Sequence, residues 1–149
     1  MYQKYHNIRQ LTDNPFLNLY VMDAIDTKGG EFHYYFASRN DAQHIKIRTK
    51  SMHAEGIVIY AVTIEPQPRL VLIRQYRYPI DEFLYELPAG LVDGDETPGA
   101  AAAREMKEET GLDFIEYTGG SAICRRPFFM GPGFTDETSV SVFGTVSGN

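Results

Sequence analysis

The stretch GLVDGDETPGAAAAREMKEETGL, residues 90–112, decides how the rest of the chain is read. Thr97 followed by Pro98 is a helix start: the threonine hydroxyl can take up a free N–H of the first turn, and proline fits the first helical position. Ala100 to Ala103 are strong helix formers with small side chains, so a helix built on them can lie close to a sheet. Gly111 after Thr110 is a stop. The predicted helix therefore covers residues 98–110, behind a loop made flexible by Gly90 and Gly94.

Residues three and four apart share a helix face, so Glu105, Glu108 and Glu109 stand together. Like charges within ~6 Å repel, and they lie in the last turns, where the helix dipole disfavours negative charge. Two readings account for this. Either the face is solvated, with Arg104 and Lys107 as partners, or a cation sits among the carboxylates. Oxygen donors of this kind suit Mg²⁺ or Mn²⁺, which keep some of their waters and bind substrate phosphates.

Upstream, β-branched runs predict strands over residues 56–65 and 69–76, joined through Pro66-Gln67-Pro68 as a hairpin, and a short strand over 84–87. Residues 16–25 predict a strand with Leu17, Leu19, Val21 and Ile25 on one face. A glycine turn follows, then an aromatic strand over 31–38. Phe32, Tyr34 and Phe36 alternate with His33 and Tyr35, so neither face of this hairpin reads as simply wet. It either packs on its own domain or offers a dimer contact or a stacking surface for a ring. Residues 1–15 are polar and end in a turn, and 39–55 read as loop or a short strand at 45–48. Downstream, strands are expected over 114–117 and 139–146.

The 149 residues allow one sizeable core, and 23% charged with 43% hydrophobic residues is ordinary globular usage. A net charge of −6 argues against nucleic acid as a partner. It would also repel an anionic substrate unless a cation intervened. The single cysteine, Cys124, excludes an internal disulfide. Neither a signal-peptide pattern nor an apolar run of membrane-spanning length is present, so a cytoplasmic protein with no membrane partner is expected.

The spacing from Gly90 through Glu96 to Arg104-Glu105-Met106-Lys107-Glu108-Glu109-Thr110-Gly111-Leu112 carries a resemblance. It matches every defined position of the signature of the Nudix hydrolases, G-x5-E-x7-R-E-U-x-E-E-x-G-U, with Met106 and Leu112 at the U positions. Chance agreement is on the order of 10⁻⁹ per starting position for average residue usage. The resemblance implies an α+β fold, an α/β/α sandwich with a mixed sheet and an appended N-terminal β-hairpin. It implies Glu105, Glu108 and Glu109 as catalytic metal ligands with the carbonyl of Ala89. Arg104 would orient them and Glu96 would brace the loop. Two or more Mg²⁺ ions, or Mn²⁺, would be the cofactors.

The flanks resemble the ADP-ribose pyrophosphatase branch. Arg74-Gln75-Tyr76-Arg77-Tyr78-Pro79, Glu86-Leu87-Pro88-Ala89-Gly90, Pro127 and Gly131-Pro132-Gly133-Phe134-Thr135-Asp136-Glu137 carry that similarity, over roughly residues 56–146. Carried over by position, Arg77 would contact the diphosphate, Leu91 would line the pocket and Glu137 would face the substrate. By the same resemblance the hairpin would make a homodimer. Cys124 and the four histidines are expected to be inert packing residues, since no histidine pair has metal-ligand spacing.

The expected organisation is an N-terminal β-hairpin region over residues 1–52, serving dimerisation and the substrate pocket, and a Nudix hydrolase domain over 53–149. Relatives continue past this point, so the C-terminal part is expected to be truncated, leaving apolar surface that dimerisation would relieve. The expected function is Mg²⁺-dependent hydrolysis of the diphosphate bond of ADP-ribose or a related nucleoside diphosphate sugar, giving AMP and a sugar phosphate. The alternatives are a Nudix-type nucleotide-sugar sensor without turnover and a hydrolase of other nucleoside diphosphate sugars.

Overall fold

The computed structural model describes residues 4–148. The chain forms two compact units, residues 1–52 with 129–137, and residues 53–128 with 138–149.

The first unit is built on a three-stranded antiparallel sheet in the order β1 (Tyr5–Gln10), β2 (Asn18–Ile25), β3 (Glu31–Ser38). β2 and β3 are the expected hairpin. Their turn is held by Asp26, whose carboxylate accepts the N–H groups of Lys28 and Gly30 at 2.7 and 2.8 Å, while Gly29 takes the left-handed conformation, φ 86°. Burial does not follow the expected face alone, although Val21 of that face is buried. Leu17 and Leu19 are exposed, whereas Tyr20 is fully buried and stacks on Phe36 at 5.3 Å. The aromatic pair fills more space than the leucines could. Asn18 joins that face because Asn14 and Thr12 satisfy its amide.

Two elements of this unit depart from the sequence expectation. The polar lead-in contains β1, an edge strand with a bulge where Asn7 adopts φ 48°; an edge tolerates charged residues that hide the strand alternation. The segment after β3 is not a strand but the single-turn helix α1 (Lys46–Thr49). Its first N–H donates to Asp136 Oδ2 at 2.8 Å, a cap supplied from ninety residues away.

The second unit contains a mixed sheet. β4 (Gly56–Thr63) is followed by a separate two-stranded hairpin, β5 (Ile73–Arg77) and β6 (Glu82–Glu86). Then come β7 (Ala89–Leu91), the helix α2 (Pro98–Thr110) and β8 (Asp113–Glu116). The two-residue β9 (Phe128–Phe129) precedes the long β10 (Thr138–Ser147). The sheet runs β7-β4-β10-β8, with β10 parallel to β4 and antiparallel to β8. A hairpin between residues 56–65 and 69–76 forms only at its base, through Thr63 N–H to Arg69 O and Val71 N–H to Ala61 O. Beyond it the chain leaves β4 and pairs with β6 instead.

The helix is the one the sequence predicts. Thr97 Oγ1 accepts the Ala100 N–H at 3.2 Å, Pro98 opens the first turn, and Gly111 closes the last with φ 76°. Ala101, Ala102 and Met106 are fully buried against Ile57, Ile59 and Val142 of the sheet. Alanines let the helix approach closely, and burying Met106 contributes roughly 2–3 kcal/mol. On the other face of the sheet Tyr60 stacks on Phe143 at 5.1 Å, and Ile115 is largely exposed. Among the described residues no helix is long and apolar enough to cross a membrane.

Candidate functional site

Three features of the second unit converge. β7 delivers Ala89, Gly90 and Leu91 along the edge of the sheet, the loop after it carries Glu96, and α2 carries the acidic residues. Because α2 buries residues 101, 102 and 106, the neighbouring positions 105 and 109 face the rim of that contact and β7. Glu105 keeps only 15% of its side chain exposed, while Glu108 is turned outward at 60%.

Arg104 organises the group. Its Nε and Nη2 donate to both oxygens of Glu96 at 3.1 and 3.0 Å, and Nη2 also reaches the Leu91 carbonyl at 3.0 Å. Nη1 donates to Glu105 at 2.7 Å and lies 3.5 Å from Glu108. One guanidinium thus ties the loop to the helix. Its bonds to Glu96, then to Glu105, raise the Arg104 pKa, and the same bond holds Glu96 below the usual carboxylate range. The Asp93 N–H, donating to Glu96 at 3.2 Å, adds to that effect.

Gly90 lies beneath Glu105. A Cβ there would stand 2.1 Å from the glutamate carboxyl carbon, so any larger residue would force this carboxylate out of its position. Glu109 behaves differently from Glu96. Loss of water around its carboxyl raises its pKa, and the neighbouring charges of Glu105 and Glu86 add to the rise. The Ala89 N–H, which donates to it, and Arg77 act in the opposite direction.

Among the described residues no three His, Cys, Asp or Glu side chains form a ready-made metal cage. The donor set still suits a hard divalent cation. Glu105 and Glu109 are oxygen donors, and the charge of Glu105 lies close enough to raise the proton affinity of Glu109; a cation would relieve that repulsion. The space that Gly90 leaves is filled by one of these two carboxylates.

The other expected site residues are distributed as follows. Leu91 is in β7 with its side chain 42% exposed. Arg77, at the end of β5, is not paired with Asp81 or Glu82. It runs back along the hairpin to Glu86, with Nε 3.0 Å from both carboxylate oxygens. Asp81 instead accepts the Tyr76 hydroxyl. Glu137 belongs to the first unit, where it accepts Arg39 Nε at 3.0 Å. Sequence reasoning passed over Glu86 and the Ala89 N–H. The first had no signal as a partner of Arg77, since it lies opposite Ile73 across the hairpin. The second is a backbone group and had none.

The first unit holds a cavity of about 410 Å³ lined by Met22, Phe36, Lys46, Phe129 and Asp136, among others. Asp136 Oδ1 is buried without a hydrogen-bond partner.

Comparison with known proteins gives the family. The NUDIX domain profile matches residues 52–149. The chain is 37% identical over 107 residues to "Putative nudix hydrolase 2" of Caenorhabditis elegans, covering 71% of this chain and 46% of that protein. It is 34% identical over 85 residues to the "ADP-ribose pyrophosphatase" of Bacillus subtilis, covering 57% of this chain and 42% of the relative. The chain therefore spans less than half the length of these two curated relatives. Among solved structures, one described as "Crystal structure of ADP compounds hydrolase" superposes with a TM-score of 0.65 at 20% identity. The match covers 96% of this chain and 68% of that one, which shows the shared fold. The chain belongs to the NUDIX domain family.

Proposed function

We propose that this NUDIX protein hydrolyses the diphosphate bond of ADP-ribose or a related nucleoside diphosphate sugar, giving AMP and a sugar phosphate, with Mg²⁺ or Mn²⁺ as cofactor. The observation that carries the reading is the arrangement around Arg104: Glu105 is fixed above Gly90, and Glu109 stands beside it on the same rim. The name of the Bacillus subtilis relative, an ADP-ribose pyrophosphatase, supports the substrate class.

In this reading Glu105, Glu109 and Glu108 hold the metal with the Ala89 carbonyl. The metal supplies charge neutralisation for the diphosphate and lowers the pKa of the attacking water. Arg104 is a support: it keeps Glu105 in place and anchors the loop through Glu96 and Leu91. Arg77 meets the diphosphate with the N–H groups that Glu86 leaves free, and Leu91 lines the pocket. Water attacks one phosphorus, the bridging P–O bond breaks, and a carboxylate of the signature takes up the proton of the water. Two copies pair through the N-terminal hairpin.

The test is incubation with Mg²⁺ and a panel of ADP-, UDP- and GDP-sugars while nucleoside monophosphate release is followed. AMP release that depends on Mg²⁺ and is fastest for an ADP-sugar is the expected result. Binding of these compounds without turnover of any would overturn the hydrolase.

A further inference from the structure

We propose that Glu86 is a positioning residue: it grips Arg77 by one edge of its guanidinium and keeps that arginine off Glu109, leaving the Glu109 carboxylate free to receive a cation. This inference rests on the metal-dependent reading above.

The grip is a fork. Arg77 Nε is 3.0 Å from both Glu86 oxygens, and Nη2 reaches Oε2 as well. Paired planar groups of this kind fix orientation as well as charge. The pair is not dictated by register, since Arg77 lies opposite Glu82 across the hairpin and Ile73 lies opposite Glu86. Arg77 passes over its register partner, which is also an acid, and folds back toward the start of β7. Glu86 is the better enclosed of the two, with 22% of its side chain exposed against 46% for Arg77.

The destination matters. Glu109 lies within electrostatic reach of Arg77 and Glu86, and its carboxylate accepts the N–H of Ala89, three residues after Glu86. A guanidinium within electrostatic reach of a partly desolvated carboxylate is drawn toward it, and the fork on Glu86 holds it elsewhere. An Arg77–Glu109 pair would take a metal ligand out of use. With Nε and Nη2 engaged by Glu86, Nη1 and the remaining Nη2 hydrogen stay available to an anionic substrate. The Arg77–Glu86 pair is neutral as a unit, so it does not cancel the negative charge that attracts the cation. Arg74, on the same hairpin, does not compete for Glu86: its guanidinium stacks over Phe83 at 3.9 Å.

The experiment measures Mn²⁺ binding to the full chain without substrate, by titration calorimetry or from the electron paramagnetic resonance signal of free Mn²⁺. The parent is compared with E86Q, R77Q and the double variant R77Q/E86Q, each below its melting transition. We expect E86Q to weaken Mn²⁺ binding about tenfold, the size usual for loss of an outer partner of a metal ligand. R77Q/E86Q should return to within about twofold of the parent, because the competing arginine is gone; a misfolded variant would not recover in this way. At saturating Mn²⁺, E86Q should lose more in KM than in kcat for a diphosphate sugar. E86Q binding Mn²⁺ like the parent, or a double variant no better than E86Q, would overturn the proposal. If the parent binds Mn²⁺ yet releases no nucleotide from any diphosphate sugar, the functional reading fails, while Glu86 is still judged on the Mn²⁺ isotherms.

Discussion

The carboxylate of Glu105 occupies the space where a side chain of residue 90 would begin: a Cβ on Gly90 would lie 2.1 Å from both Glu105 Cδ and Oε1. No rotation of Glu105 about a single bond is free of cost, because Arg104 Nη1 holds Oε1 at 2.7 Å. Gly90→Ala should therefore displace Glu105 and loosen its bond to Arg104. A loss of about 10–100-fold in kcat/KM and in Mn²⁺ affinity is expected. Circular dichroism should show the fold retained. Parent-like kinetics in the alanine variant would mean that the carboxylate has another productive position.

Glu109→Gln keeps the shape of the side chain and removes its charge. The proposed role predicts at least a 100-fold loss of activity that added Mg²⁺ does not restore. The metal-free protein should be no less stable than the parent, because loss of water around this carboxyl opposes its ionisation. Thermal melts without metal, set beside activity at high Mg²⁺, check both halves.

Met106 is fully buried under the signature helix, against the sheet. Met106→Ala should lower stability by about 2–5 kcal/mol, since the site is closed on all sides and cannot fully collapse. Urea denaturation reads the change. A value under about 1 kcal/mol would mean that α2 rests on the sheet more loosely than its burial indicates.

The Glu96–Arg104 pair makes stability depend on acid. Arg104 holds the folded Glu96 pKa below its unfolded value, so the folded chain binds the proton less tightly than the unfolded one. The stabilisation is present above the unfolded pKa, near 4.5, and is lost as pH falls through the depressed folded value. Melting temperature should drop in that window, and Glu96→Gln should flatten the drop. An unchanged acid slope in the variant would assign it to other carboxylates.

What the sequence disclosed follows from the range of the interactions involved. Thr97, Pro98 and Gly111 act within a few residues of themselves, so α2 is legible from end to end. The carboxylate spacing on it is local too. α1 is different: one turn is too short for periodicity to register, and its cap, Asp136, arrives from distant chain. In β2 the leucines suggested one face, yet of that face Val21 is buried while Leu17 and Leu19 are exposed, and Tyr20 is buried on the other through its stacking on Phe36 across the hairpin. The Arg77–Glu86 pair escaped notice because it follows from how a side chain folds back along a ribbon, which residue order does not encode. Glu105 over Gly90 was half visible: the motif named both residues, and only the approach of helix to strand brings them into contact.

β10 lies between β4 and β8 in its sheet, and Ser139 pairs with Gly56 across more than eighty residues of chain. The first unit likewise takes in residues 129–137. During synthesis, then, neither unit can close until the same late stretch leaves the ribosome, which at ~5–20 residues per second takes several seconds after β4 has emerged. Over that interval β4 has only β7 beside it, and α2 has half a sheet to dock on. Such long-range closure makes for slow folding and a window of chaperone dependence. The acidic helix is thus complete as a local structure well before there is a finished surface to hold it.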